Sequence, residues 1–92
     1  MLDVKKLFTN ILDKITAVTV TVTGTTNSNG AISVAAKVPT TANIVCMKTN
    51  GSNHMAIPFQ YYNGDWHGKI VDWRTLANVS NTSVTLTIRY LK

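Results

Sequence analysis

The first part of the chain carries its hydrophobic side chains with the period of an α-helix. Between residues 4 and 15 they occupy positions i, i+3, i+4, i+7, i+8 and i+11, and lysine, threonine, asparagine and aspartate fill the other positions. Asp3 is suited to cap the first turn, and Lys14 lies where a cation suits the helix dipole. The pattern predicts a short amphipathic helix within residues 1–16. Its apolar stripe is Val4, Leu7, Phe8, Ile11, Leu12 and Ile15.

This stripe needs a partner, because an isolated helix of about 12 residues is marginal in water. Val4, Phe8, Ile11, Ile15 and Val18 follow the 4-3-4-3 spacing of a coiled-coil seam. Leu7 and Leu12 widen the stripe beyond what a two-helix seam uses. We therefore predict that residues 1–16 form an oligomerisation stalk, with a homotrimer ranked first. A dimer, or a monomer whose helix packs on its own sheet, is the alternative.

From Ala17 onward the period changes to two. The first strand, residues 17–24, alternates valine with threonine, and the last, residues 83–91, alternates in the same way. Between them, runs bounded by turn residues predict strands at 31–38, 42–49, 54–62 and 65–73. In the second, Ile32, Val34, Ala36 and Val38 are expected to share one face. We predict a mainly β, α+β chain: the helix, then an antiparallel six-stranded β-sandwich or small barrel over residues 17–92.

Two local signals refine this picture. Pro58 has no N–H to donate, so its strand is expected at a sheet edge or to carry a bulge. Asn63-Gly64 is a hairpin turn signal between the fourth and fifth strands.

Composition and charge exclude several classes. With 92 residues and 45% hydrophobic side chains, the chain is a single folded domain. Cys46 is its one cysteine, so no internal disulfide can form, and its place in an apolar strand predicts that it is buried. No signal-peptide pattern and no membrane-length apolar run occur, so synthesis in the cytoplasm is expected. The net charge is +5, but the basic residues are scattered, so nucleic-acid binding is not expected.

Candidate chemistry is sparse. Asp65 and Asp72 lie seven residues apart on one predicted strand, about 23 Å from each other, which is too far for paired-carboxylate catalysis. Asp65 and His67 share a strand face, but two such residues are not a metal site. We expect no enzymatic activity, no metal and no cofactor.

The residues best suited to binding lie in the aromatic hairpin. Flat rings mixed with hydrogen-bonding groups are typical of sugar sites and of protein contacts. The candidate ligand-binding residues are Tyr62, Asn63, Asp65, Trp66 and His67. Phe59 and Trp73 are expected in the core.

The chain also resembles a known group of proteins. The N-terminal MLDVKKLFTNILDKI, the stretch TGTTNSNGAIS and the closing SVTLTIRYLK are similar to small structural and tail-fibre-like proteins of tailed phages and prophages of gut bacteria. This resemblance implies a virion protein, a homotrimer with a helical stalk and a β head, and contact with a cell-surface glycan or other virion proteins. The alternatives are a soluble carbohydrate-binding module using Tyr62 and Trp66, and a basic protein associated with nucleic acid.

Overall fold

The computed structural model describes residues 17–91. The predicted helix and its apolar stripe lie outside the described residues. Within them, six strands follow one another along the chain: β1 (Ala17–Thr25), β2 (Ala31–Ser33), β3 (Asn43–Thr49), β4 (His54–Tyr61), β5 (Asp65–Asp72) and β6 (Ser83–Leu91).

The strands form two antiparallel three-stranded sheets. Sheet A has the order β1-β6-β3, and sheet B has the order β2-β5-β4. Ile32 and Ile70 of sheet B share a buried cluster with Leu86 and Ile88 of sheet A. The predicted antiparallel β fold is therefore confirmed, and it takes the form of two sheets around one core.

Strands β1 and β6 follow the predicted alternation. Their register is unbroken from Ala17 opposite Leu91 to Thr25 opposite Ser83. The inward positions of β6 are buried, and those of β1 are half-buried. These inward side chains are Val18, Val20, Val22, Val84, Leu86, Ile88 and Tyr90.

The second predicted strand is wrong beyond Ser33. The N–H groups of Lys37 and Val38 both donate to the carbonyl of Val34, each at 3.0 Å, so the chain turns instead of remaining extended. Val34 and Val38 are both buried because a helical turn brings residues four apart to the same side. Ala36, which the strand pattern placed with them, is exposed.

Strand β3 contains a bulge that overturns the prediction for Cys46. Its register against β6 shifts between Ile44 and Cys46. One extra residue in a bulge changes which later side chains face inward. Ile44 and Met47 consequently pack against the core, and Cys46 is exposed.

The β4–β5 hairpin and the position of Pro58 agree with the predictions. Tyr61 pairs with Asp65, and the connecting Tyr62, Asn63 and Gly64 all have positive φ, at 42°, 60° and 78°. β4 is an edge strand of sheet B, so Pro58 lies at an edge as expected.

Candidate functional site

The outer face of sheet A is polar on strands β1 and β6, whereas β3 exposes Val45 and Cys46. Strand β1 presents four exposed threonines there, and β6 adds Thr85, Thr87 and Arg89. The hydroxyls of Thr23 and Thr85 lie 3.4 Å apart across the two strands. This is the ordinary arrangement for an antiparallel sheet with one solvated face, and it requires no partner.

Sheet B has the opposite arrangement on strand β4. Its outward positions all carry large apolar or aromatic side chains, and we call this row the β4 stripe: Met55, Ile57, Phe59 and Tyr61. Met55 is 39% exposed, Ile57 42% and Tyr61 65%, while Phe59 is half-buried. The alternate positions of the same strand face the side of sheet A, where His54 and Ala56 are half-buried and Pro58 and Gln60 are exposed. The more apolar face of β4 therefore faces away from the core.

The pairing of β4 with β5 explains why the β4 stripe faces away from the core. Ile70 is fully buried, Trp66 packs against the core, and Gly68 lies between them. A Cβ on Gly68 would lie 2.7 Å from the Met47 sulfur and 3.2 Å from Leu86 Cδ1, so the two sheets approach closely at this point. Directly opposed residues of an antiparallel pair share a face. The residues opposite Trp66, Gly68 and Ile70 must then face inward too.

Phe59 and Tyr61 of the β4 stripe form an aromatic cluster with His67 of β5. The rings of Phe59 and His67 stack with centroids 5.5 Å apart, and Tyr61 meets the edge of His67 at 6.0 Å. His67 Nδ1 lies 3.0 Å from the main-chain oxygen of Asp65, which fixes the ring orientation. Such contacts add packing energy beyond the area that they bury.

This cluster lines an open groove of about 560 Å³ that also takes in residues from the β1–β2 turn and from the neighbouring strands: Asn27, Asn29, Ala31 and Lys69. The side-chain oxygen of Asn27 accepts hydrogen bonds from the N–H groups of Asn29 (2.8 Å) and Ala31 (3.0 Å), so the turn is held rigid. The groove therefore offers aromatic surface, amide groups and one ammonium group.

The structure separates the five predicted ligand-binding residues. His67 lines the groove, and Asp65 lies on the same face beside Tyr61. Tyr62 and Asn63 are exposed at the hairpin tip. Trp66 lies on the opposite face against the core, and its buried Nε1 has no hydrogen-bond partner among the described residues.

Sequence reasoning missed the residues that complete the groove. The prediction that Phe59 is a core residue is wrong, because Phe59 lies on the outer face of β4 and lines the groove half-buried beside Tyr61. Asn27 and Asn29 belong to a turn at least 25 residues away from the hairpin, and only the pairing of β2 with β5 brings that turn to it. Sequence alone gives no signal for that proximity.

The prediction that Trp73 is a core residue is wrong. Trp73 is 56% exposed and follows β5 directly, where its N–H donates to the carbonyl of Asn53 at 3.0 Å. Together with Met55 and His54 it lines a second open groove beside the β3–β4 turn. Its side chain extends the exposed apolar surface at the Met55 end of the β4 stripe.

Within residues 17–91, no group of three or more histidine, cysteine, aspartate or glutamate side chains could hold a metal ion. The same residues include no helix long and apolar enough to cross a membrane. Neither a family model, nor a curated protein, nor a solved structure matches the chain.

Proposed function

We propose that the protein is a non-enzymatic structural module of a phage or prophage virion, and that it works as a homo-oligomer through the outer face of sheet B. The virion setting rests on the resemblance of the sequence to small phage structural proteins. The assembly role rests on the β4 stripe. A trimer is the oligomer that the resemblance implies.

The observation that carries the assembly role is the contrast between the two outer faces. Sheet A turns threonines to solvent, as a solvated antiparallel sheet does. Sheet B turns the β4 stripe away from sheet A, and Pro58 and Gln60 lie on the other side of the strand, where both are also exposed. A row of exposed apolar side chains on a small soluble domain marks an interaction surface.

The edge of β4 is unsuited to forming a continuous sheet with another chain. Exposed edges invite strand pairing, and a proline in the middle of the edge strand removes a backbone donor that pairing would need. Pro58 occupies that position, opposite Gly68. The partner of sheet B is therefore expected to contact the face of the strand, where the side chains lie.

Light scattering on the full-length chain tests the proposal. We expect a mass that is a multiple of 10.1 kDa, with three copies favoured. Ile57→Asp should shift the protein toward monomer, since it places a charge in the middle of the stripe, and the far-UV spectrum should keep its β signal. Thr21→Asp, an equal change on the outer face of sheet A, is the control and should leave the mass unchanged. A full-length monomer would refute the assembly role.

A second candidate function is carbohydrate binding, favoured by one observation. The groove beside His67 combines the Phe59 and Tyr61 rings with the side chains of Asn29 and Lys69. Sugars stack on aromatic rings and form hydrogen bonds with amide groups. The exposed Tyr62 at the hairpin tip adds a further ring. Titration with a glycan panel, comparing the native chain with Tyr61→Ala, tests this. Binding that Tyr61→Ala does not weaken would exclude the groove.

A further inference from the structure

The β4 stripe is an exposed apolar row among the described residues, and the sequence predicts a second apolar stripe within residues 4–15. We propose that they bind each other between copies, so that residues 4–15 of one copy lie along the β4 stripe of a second copy. This inference rests on the proposed function, because it names the partner segment for the assembly surface of sheet B.

The two surfaces match in length. Residues 4 to 15 span about 17 Å if they adopt the helix that their period predicts. Met55 to Tyr61 span about 20 Å along an antiparallel strand. One predicted helix is therefore long enough to cover most of the β4 stripe.

A helix also fits the width of the surface. The outward neighbours of the stripe on β5 are the buried Val71 beside Met55 and then three polar residues, so the apolar row is one strand wide toward its Tyr61 end. The three are Asp65, His67 and Lys69. Two such narrow rows packed face to face would bury far less than the roughly 800 Å² per partner of a stable interface. An amphipathic helix laid along an apolar row is an established mode of recognition.

The same copy cannot supply this helix, because its attachment point is on the other sheet. Ile15 is two residues from Ala17, so it stays within about 7 Å of the start of β1. Ala17 belongs to sheet A, where it pairs with Leu91. The outer face of sheet B is one sheet spacing, about 10 Å, beyond sheet A, and a helix lying on that face is farther still.

The order of the strands increases this separation. β1 is one edge of sheet A, and β3, the strand of that sheet which contacts β4, is the opposite edge. A helix that starts beside Ala17 would therefore have to cross both the thickness and the width of the domain before reaching Ile57. A linker of one residue, Thr16, does not allow that, whereas a neighbouring copy has no such restriction.

Cross-linking between differently marked copies tests the inference on the full chain. All variants carry Cys46→Ser, which removes the exposed native thiol. Chains with Ile11→Cys are mixed with mass-tagged chains that carry Ile57→Cys, and a short bis-maleimide reagent joins neighbouring thiols. We expect a covalent heterodimer, formed at least an order of magnitude more than with the control Thr21→Cys on sheet A. Each protein is first checked for its oligomeric mass and β spectrum.

The other outcomes separate this inference from the function on which it rests. If Ile57→Asp dissociates the oligomer but position 11 never joins position 57, the assembly surface stands and its assigned partner is wrong. If position 11 joins only position 11, and Ile57→Asp leaves the mass unchanged, the N-terminal segments bundle with each other and the inference is wrong. A full-length monomer would overturn both.

Discussion

Replacing Gly30 by alanine is the sharpest test of the packing that supports the groove. Gly30 is buried in the β1–β2 turn with φ at +75°, a conformation that L-residues rarely adopt. An added Cβ would lie 2.7 Å from the main-chain oxygen of Ile70. That oxygen accepts from Val79 N–H at 2.9 Å, and the Ile70 N–H donates to the carbonyl of Gly30 at 2.8 Å. The methyl group must therefore displace backbone that is already hydrogen-bonded.

The size of the effect follows from two contributions. A left-handed conformation costs an L-residue about 1–2 kcal/mol. Weakening the two backbone hydrogen bonds around Ile70 costs a further ~0.5–1.5 kcal/mol each. We expect Gly30→Ala to lower the free energy of unfolding by about 2–5 kcal/mol, the sum of these contributions.

Gly64 provides a matched control. Its φ is +78°, nearly the value at Gly30, but the nearest atom to an added Cβ is Thr40 Cβ at 3.8 Å. Gly64→Ala therefore carries only the conformational cost, about 1–2 kcal/mol. The difference between the two variants isolates the close approach of Gly30 to Ile70.

Urea unfolding followed by far-UV circular dichroism measures both variants. All samples are kept at one protein concentration, because oligomerisation makes apparent stability depend on concentration. Each kcal/mol should also lower Tm by about 4–8 °C for a domain of this size. Equal losses for Gly30→Ala and Gly64→Ala would refute the described contact between Gly30 and the Ile70 backbone.

Three further predictions follow from the core, an ion pair and the hairpin. Leu86→Ala should lower the free energy of unfolding by about 2–5 kcal/mol, because Leu86 is fully buried, whereas the outward-facing Thr87→Ala should stay within ~0.5 kcal/mol. The Arg74 guanidinium hydrogen-bonds the Asp72 carboxylate and lowers the pKa of Asp72 from 3.8 to about 2. Any stability from this pair is thus present above pH ~4 and lost as the pH falls through about 2. In an NMR titration, Arg74→Gln should return the Asp72 midpoint toward 3.8, and an unmoved midpoint would exclude the ion pair as its cause. Trp66→Ala should lower Tm, since Trp66 packs on the core, and an unchanged Tm would place it in a binding surface instead.

The sequence predicted the regular strands well because their alternation is local. Strict valine–threonine alternation in β1 and alternation in β6 assigned the faces of both strands correctly. Pro58 and Asn63-Gly64 located an edge strand and a hairpin through the backbone geometry that these residues impose. Each of these signals is contained in a few consecutive residues.

The predictions that failed concern residues whose burial depends on turns, on a bulge or on contacts with distant parts of the chain. Nothing in the run from Val34 to Val38 distinguishes an apolar strand from a turn that buries its two ends, because both place valines on one side. The bulge after Ile44 depends on how β3 meets β6, and it decides the exposure of Cys46. Trp73 was assigned to the core from its hydrophobicity, but it lies just past the end of β5, where the sandwich no longer covers it.

The orientation of β4 connects the failed core prediction for Phe59 with the proposed assembly surface. By hydrophobicity alone, Met55, Ile57 and Phe59 would face the core, and turning the strand over would achieve that. Along a strand, however, the side-chain face and the side to which the N–H points alternate together. Because Pro58 has no N–H, it must turn that side away from β5 for the unbroken pairing from His54 to Tyr61 to hold, which keeps its own side chain inward. A turned-over β4 would direct Pro58 at β5 and break the ladder at its centre. Pro58 thus holds the apolar row on the outer face of sheet B, where a second copy would cover it in the proposed assembly.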